Sequence, residues 1–203
     1  MGIESEVIRK SEGCAKAYSF LRFLILPIDE IEKTISKKGK IIDYGCGFGV
    51  NSCYLALSSK ERHIVGIDHS AKRIKKAIKM AKGIRNLKFR LGNILKIRIE
   101  KAGTHLLIDA LHHVPYSDQI LLLEKIIQNM RKGDLIVIKE IDDRPVLKFA
   151  WNCIHDKLMN FNDKLYFRNQ KWFEGFLNEK RLATKIKRCE NLLYPHFIAI
   201  GKK

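Results

Sequence analysis

The chain has 203 residues, enough for one substantial core without disulfide or metal support, and its 46% hydrophobic and 30% charged make-up excludes a disordered polymer. Its five cysteines, Cys14, Cys46, Cys53, Cys153 and Cys189, form no CxxC pair, so a reduced, cytoplasmic setting without a zinc site is expected. The formal charge of +17 is concentrated: residues 60–101 hold 14 Lys/Arg against 3 Asp/Glu, and residues 144–203 hold 13 against 5. Those two regions suit RNA, an anionic membrane surface met peripherally or an acidic small molecule, and they equally suit lysine-rich helix faces that are simply solvated.

Residues 1–38 precede the first expected strand. They lack the basic head and small-residue cleavage site of a signal peptide, and no apolar run in the chain approaches the roughly 20 residues of a transmembrane segment. From Tyr18 to Leu26 the apolar surface exceeds what one helix face needs. Pro27 interrupts it, and Ile28, Ile31 and Ile35 resume at helical spacing.

Lys40 to Leu57 reads KIIDYGCGFGVNSCYLAL: a buried strand, a turn with glycine at alternate positions, and a helix start. A dinucleotide fingerprint would need glycine where Val50 stands, and no Gly-Lys-Ser/Thr follows for a phosphate loop. The segment resembles the first motif of class I S-adenosylmethionine-dependent methyltransferases, acidic-x-Gly-x-Gly-x-Gly. The resemblance implies that the loop Gly45, Cys46, Gly47 and Gly49 passes under the methionine end of S-adenosyl-L-methionine. It also implies that Asp43 helps to position the ammonium group.

His63 to Ile67 forms a second expected strand, closed by Asp68, which lies 25 residues after Asp43 as a strand–helix–strand unit requires. A carboxylate at that strand end accepts hydrogen bonds from both ribose hydroxyls, and His69 adjoins it. Ser70 is placed to cap the next helix, whose Ile74, Ala77, Ile78 and Ala81 make an apolar stripe opposite Lys72, Lys75, Lys76 and Lys79. Leu87 to Leu91 is a third strand. Beyond it the family resemblance puts the adenine beside Asn93 and Ile94. An acidic residue is usual where Asn93 stands, and asparagine can still accept from the adenine amino group.

His105 to Ala110 is read as a fourth strand leading into Leu111-His112-His113. No HExxH or third carboxylate accompanies the histidines, so no metal is expected. The phrase resembles the fourth motif of small-molecule methyltransferases. By that resemblance Leu111 joins the cofactor wall, and His112 and His113 are candidate bases or wall residues, imidazole titrating near neutrality. Ser117 starts a long amphipathic helix, and Leu135 to Ile138 is a fifth strand, after which Glu140 is a candidate for receiving a polar or cationic acceptor. Residues 145–161 are apolar over more than one helix stripe. Trp151 and His155 share a face there, and with Arg168 they are the expected acceptor side. Lys185 to Cys189 and His196 to Ile200 complete seven strands.

These elements predict an α/β protein with the three-layer Rossmann-like methyltransferase fold: a mostly parallel seven-stranded sheet with an antiparallel last strand. Residues 1–203 are expected to form a single domain. Within it, 1–38 is a helical extension, 40–139 the cofactor core and 144–180 a helical insertion. By resemblance the extension covers the cofactor, with Tyr18 and Arg22 as candidates for lining the site. The expected activity is methyl transfer from S-adenosyl-L-methionine to a small, apolar or lipid-like acceptor, with an RNA methyltransferase as the alternative. The oligomeric state is not specified by the sequence.

Overall fold

The computed structural model describes residues 2–142, 164–190 and 195–203. Three helices come first, α1 (Ile3–Lys10), α2 (Cys14–Ile25) and α3 (Ile28–Thr34), the last two parted at Pro27. Then follow β1 (Gly39–Tyr44), α4 (Val50–Ser58), β2 (Arg62–Asp68), α5 (Ala71–Met80), β3 (Leu87–Leu91) and β4 (Thr104–Ile108). A single 3₁₀ turn at Leu111–His113 leads into α6 (Tyr116–Asn129) and β5 (Leu135–Ile141). The chain closes with α7 (Gln170–Glu179), β6 (Ala183–Glu190) and β7 (Pro195–Lys202).

The seven strands form one sheet in the order β3-β2-β1-β4-β5-β7-β6. The first five pair in parallel, and β7 runs antiparallel to both β5 and β6. Alternation along the strands explains why both faces are covered. Ile41, Leu106, Val137 and Ile198 enter the core beneath α1, α3 and α4, while Ile42, Leu107, Ile138 and Phe197 enter the core beneath α6 and α7. β1 sends its connection to β2 on one side, and the chain later returns to β1's other side as β4. That reversal opens a crevice at the carboxyl ends of the strands, where open α/β sheets bind ligands.

Two elements differ from the sequence expectation. The buried stripe of α5 is Ile74, Ala77 and Met80, while Ile78 is 54% exposed, because the helix ends at Met80 with that side chain under α1. β5 continues to Ile141, so Lys139 and Glu140 lie within a strand and are buried instead of standing on the loop after it. Among the described residues no helix is long and apolar enough to cross a membrane.

The turn after β1 is built to a close tolerance. Gly49 starts α4 in the left-handed region at φ 79°, and a β-carbon there would stand 2.3 Å from the Phe89 ring. Gly49→Ala therefore carries both backbone strain and an overpacked contact, and is expected to cost roughly 2–4 kcal/mol of stability. Urea unfolding of the two proteins measures it, and an unchanged midpoint would refute this account of the turn.

Candidate active site

A cavity of about 570 Å³ lies over the carboxyl ends of β1, β2 and β4. Its floor at one end is the glycine turn. The Gly45 and Cys46 N–H groups both donate to Ile67 O (2.8 and 3.0 Å), tying the turn to β2. A β-carbon on Gly45 would come within 2.8 Å of Ala110, so the residue keeps the turn clear of the β4 end. Gly47 N–H donates to Asp68 Oδ2 at 2.9 Å, and Ser70 N–H donates to Asp68 Oδ1 at 2.8 Å. The Asp68 carboxylate is thus fixed at the end of β2, with a lone pair still open on each oxygen for a further donor. Ser70 caps α5 by accepting from Arg73 N–H, as its position predicts.

Asp43 is buried behind the turn, off the cavity wall, and its Oδ2 accepts from Ser52 Oγ at 2.5 Å. Burial raises its pKa to about 6, against the opposing pull of the Ser52 hydrogen bond and the Arg22 charge. Asn51, on the first turn of α4, lines the cavity, and its Oδ1 is buried with no hydrogen-bond partner among the described residues. At the end of β3, Asn93 and Ile94 reach the wall. Asn93 Oδ1 accepts from Leu95 N–H at 2.9 Å, holding that turn.

α2 forms the roof. Tyr18, Leu21, Arg22 and Ile25 line the cavity from one helix face, and Tyr18 meets Phe48 of the glycine turn edge-on at 5.0 Å. Across the floor lies the turn at Leu111–His113. His112 Nδ1 is 2.6 Å from Glu140 Oε2, and Glu140 Oε1 accepts from Leu111 N–H at 2.9 Å. With an acceptor-only carboxylate on Nδ1, the Nδ1–H tautomer is fixed and Nε2 becomes the basic nitrogen. His112 stacks on Phe167 (5.0 Å, 20°) and lies 4.3 Å from the His113 ring.

The same wall carries an ion cluster. Asp109, in the left-handed region at φ 49°, pairs with Arg22 and with Lys139. Burial alone would favour its protonated form, but Lys139 and Arg22 outweigh it and hold the carboxyl well below the usual range. His196 completes this end; burial, assisted by Lys139, lowers its pKa to about 3.

Of the residues singled out by sequence, Tyr18, Arg22, Gly45, Cys46, Gly47, Asp68, His69, Asn93, Ile94, His112 and His113 converge on this one cavity. Four others lie off its wall with Asp43. Gly49 packs against Phe89, Leu111 is in the core beneath α6, and Glu140 acts on the cavity only through His112. Arg168 is drawn away by the faces of Trp172 (3.7 Å) and Tyr116 (4.6 Å) and by Gln119 Oε1 (2.9 Å). Gln119 Nε2 in turn shares its two N–H donors among Leu111 O, Val114 O and Tyr166 O, all within 3.0 Å, so Arg168 braces the turn that carries the histidines. Trp151 and His155 lie outside the described residues. Asn51, Asp109 and Lys139 had no such reading; a lysine inside an apolar strand was the available signal, since lysine is almost never buried unpaired. Among the described residues no three His, Cys, Asp or Glu side chains are grouped to hold a metal.

A family model described as "Methyltransferase domain" matches residues 35–186. Carboxy-S-adenosyl-L-methionine synthase of Helicobacter pylori (strain HPAG1) is 27% identical over 172 residues, 82% of this chain and 65% of that protein. The synthase of Colwellia psychrerythraea is 29% identical over 162 residues, 76% of this chain and 63% of the relative. The chain thus spans just under two thirds of the length of these curated relatives. Among solved structures, magnesium protoporphyrin IX methyltransferase from Synechocystis PCC 6803, with bound SAH, superposes with a TM-score of 0.69 at 16% identity. That match covers 87% of this chain and 81% of the other. Human N-acetylserotonin methyltransferase in complex with SAM gives 0.73 at 16% identity, covering 98% and 56%. At such identities the likeness is one of fold.

Proposed function

We propose, from the premise that this chain belongs to the methyltransferase-domain family, that it passes the methyl group of S-adenosyl-L-methionine to a small molecule whose nucleophile His112 deprotonates. The observation that carries the reading is one cavity with a fixed carboxylate, Asp68, at one end and a carboxylate-held histidine, His112, at the other. The residues fit the cofactor on three counts. The glycine turn leaves backbone open to a ligand, Asp68 keeps a lone pair on each oxygen for ribose hydroxyls, and the buried Asn51 Oδ1 awaits a donor.

When bound, the cofactor supplies an electrophilic methyl on a sulfonium centre. The protein's part is to align and to move a proton. Asp68 holds the nucleoside end, α2 closes over the cavity to limit water, and Glu140 keeps Nε2 of His112 as the proton acceptor. A chain of backbone contacts fixes that histidine: its own carbonyl accepts from Tyr166 N–H at 2.8 Å, and Gln119 holds the carbonyls on either side.

The test is titration calorimetry with S-adenosylhomocysteine, followed by transfer of labelled methyl to a panel of small hydroxyl and amine compounds. Saturable binding and label transfer are expected; a protein that ignores the nucleoside would end the proposal. The expected apolar, lipid-like acceptor rests on residues 145–161, which lie outside the described residues, while the described acceptor end is ionic. For an RNA acceptor the support remains the excess of Lys and Arg in residues 60–101 and 144–203.

Asp43 adds a pH signature. A cationic ammonium held over the turn favours its ionised form, so nucleoside binding should release a proton between about pH 5 and 7 and strengthen as pH rises through about 6. For the empty fold the sign is opposite. A carboxyl that holds its proton more tightly than in the unfolded chain contributes stability at low pH, and loses it as pH rises through about 6. Calorimetry in two buffers of different ionisation heat counts the proton; no release across that window would remove Asp43 from the site.

A second reading follows the curated relatives, whose names make them synthases of a carboxylated cofactor. The mass of the nucleoside product decides it, since a carboxylated product is heavier than S-adenosylmethionine by the mass of carbon dioxide.

A further inference from the structure

At the end of the cavity formed by β4, β5 and β7 stand three ionisable groups that proton transfer by His112 does not use; burial lowers the Lys139 pKa, against the opposing pull of Asp109. Arg22 Nη1 is 2.6 Å from Asp109 Oδ2, Lys139 Nζ is 2.5 Å from Asp109 Oδ1, and all three residues line the cavity. Two cations therefore share one carboxylate. Among the described residues Asp109 is the acceptor for both, yet a guanidinium and an ammonium offer many more N–H donors than one carboxylate takes up. The nearby acids are committed elsewhere, Asp43 to Ser52 and Glu140 to His112 and Leu111 N–H. His196, on the same wall, adds no positive charge at neutral pH. Lys139 is only 1% exposed and backs Asp109, so it acts on the cavity through its charge, whereas Arg22 keeps 15% of its side chain exposed.

We infer that Arg22, backed by the charge of Lys139, forms an anion subsite for a carboxylate carried by the acceptor, which makes the acceptor an organic acid. The inference rests on reading this cavity as the site of methyl transfer. Arg22 presents the planar fork that matches a carboxylate by paired N–H···O bonds, and Lys139 supplies a second, fixed charge. Asp109 keeps the two cations together while the subsite is empty. Leu21, Ile25 and Ile141 border the cluster, so the rest of the acceptor meets apolar surface. His112, on the same wall, then faces a nucleophile whose distance from the carboxylate the subsite sets.

The test uses the full chain and calorimetry with 3-phenylpropanoate and its primary amide, each with and without saturating S-adenosylhomocysteine. The acid is expected to bind at least tenfold tighter than the amide. Arg22→Gln should abolish that preference and Arg22→Lys should keep part of it. Arg22→Gln leaves Asp109 paired with Lys139, and saturable nucleoside binding checks that each variant is folded. If Arg22→Gln fails to fold, the acid–amide comparison on the unaltered protein and on Arg22→Lys decides the matter. Equal affinity for acid and amide, including no detectable binding of either, overturns the subsite, as does an undiminished preference in Arg22→Gln. Loss of nucleoside binding with the acid preference intact would strike the methyl-transfer reading and leave the subsite standing.

Discussion

Replacing His112 with glutamine is expected to lower turnover by roughly 10²–10⁴-fold while nucleoside affinity stays within about threefold. The argument is geometric. His112 is buried and stacked on Phe167, and Nδ1 is committed to Glu140, so the one proton this ring takes up goes to Nε2. Glutamine keeps a polar side chain there but has no basic nitrogen. Label transfer to whichever acceptor the screen yields measures the rate, and calorimetry measures the affinity. Glu140→Gln should fall in the same direction by less, because an amide still orients the ring while no longer enforcing the tautomer. Equal turnover in His112→Gln would assign the histidine to the wall alone.

The second large effect belongs to Asp68. Asp68→Ala is expected to weaken S-adenosylhomocysteine binding by about 2–3 kcal/mol, roughly 30- to 150-fold. Two charge-assisted hydrogen bonds to ribose are lost, and the glycine turn loses the carboxylate that holds Gly47 N–H. Calorimetry reads the loss directly. Unchanged affinity would mean that the sugar lies elsewhere, and thermal unfolding of the variant separates that result from a collapsed turn.

Much of this architecture is legible in the sequence because its signals are local. Ile41-Ile42, Leu106-Leu107 and Ile136 to Ile138 feed alternate sides of a doubly covered sheet, and such runs stand out from a single chain. Gly45, Gly47 and Asp68 are likewise readable, since a positive φ and a strand-end carboxylate belong to their own segments. The rest of the site is non-local. Arg22, Asp109 and Lys139 come from a helix, a strand end and a strand interior, and nothing in the spacing of three such residues announces a shared cluster. Lys139-Glu140 looked like the start of a loop because two charged residues interrupt the apolar run. Both are buried only because partners reach them from β4 and from the turn at Leu111–His113. Arg168 illustrates the converse: its charge suggested an acidic ligand, but two ring faces and an amide answer it.

The Arg168–Gln119 brace has a consequence for how such an enzyme can be tuned. The turn that carries His112 is held by the Gln119 amide as well as by Glu140 and Tyr166 N–H, and that amide is itself steadied by a guanidinium wedged between two aromatic plates. Drift in the plates would move the turn, and with it both the proposed base and that stretch of cavity wall, so rate and selectivity would be retuned together from outside the chamber.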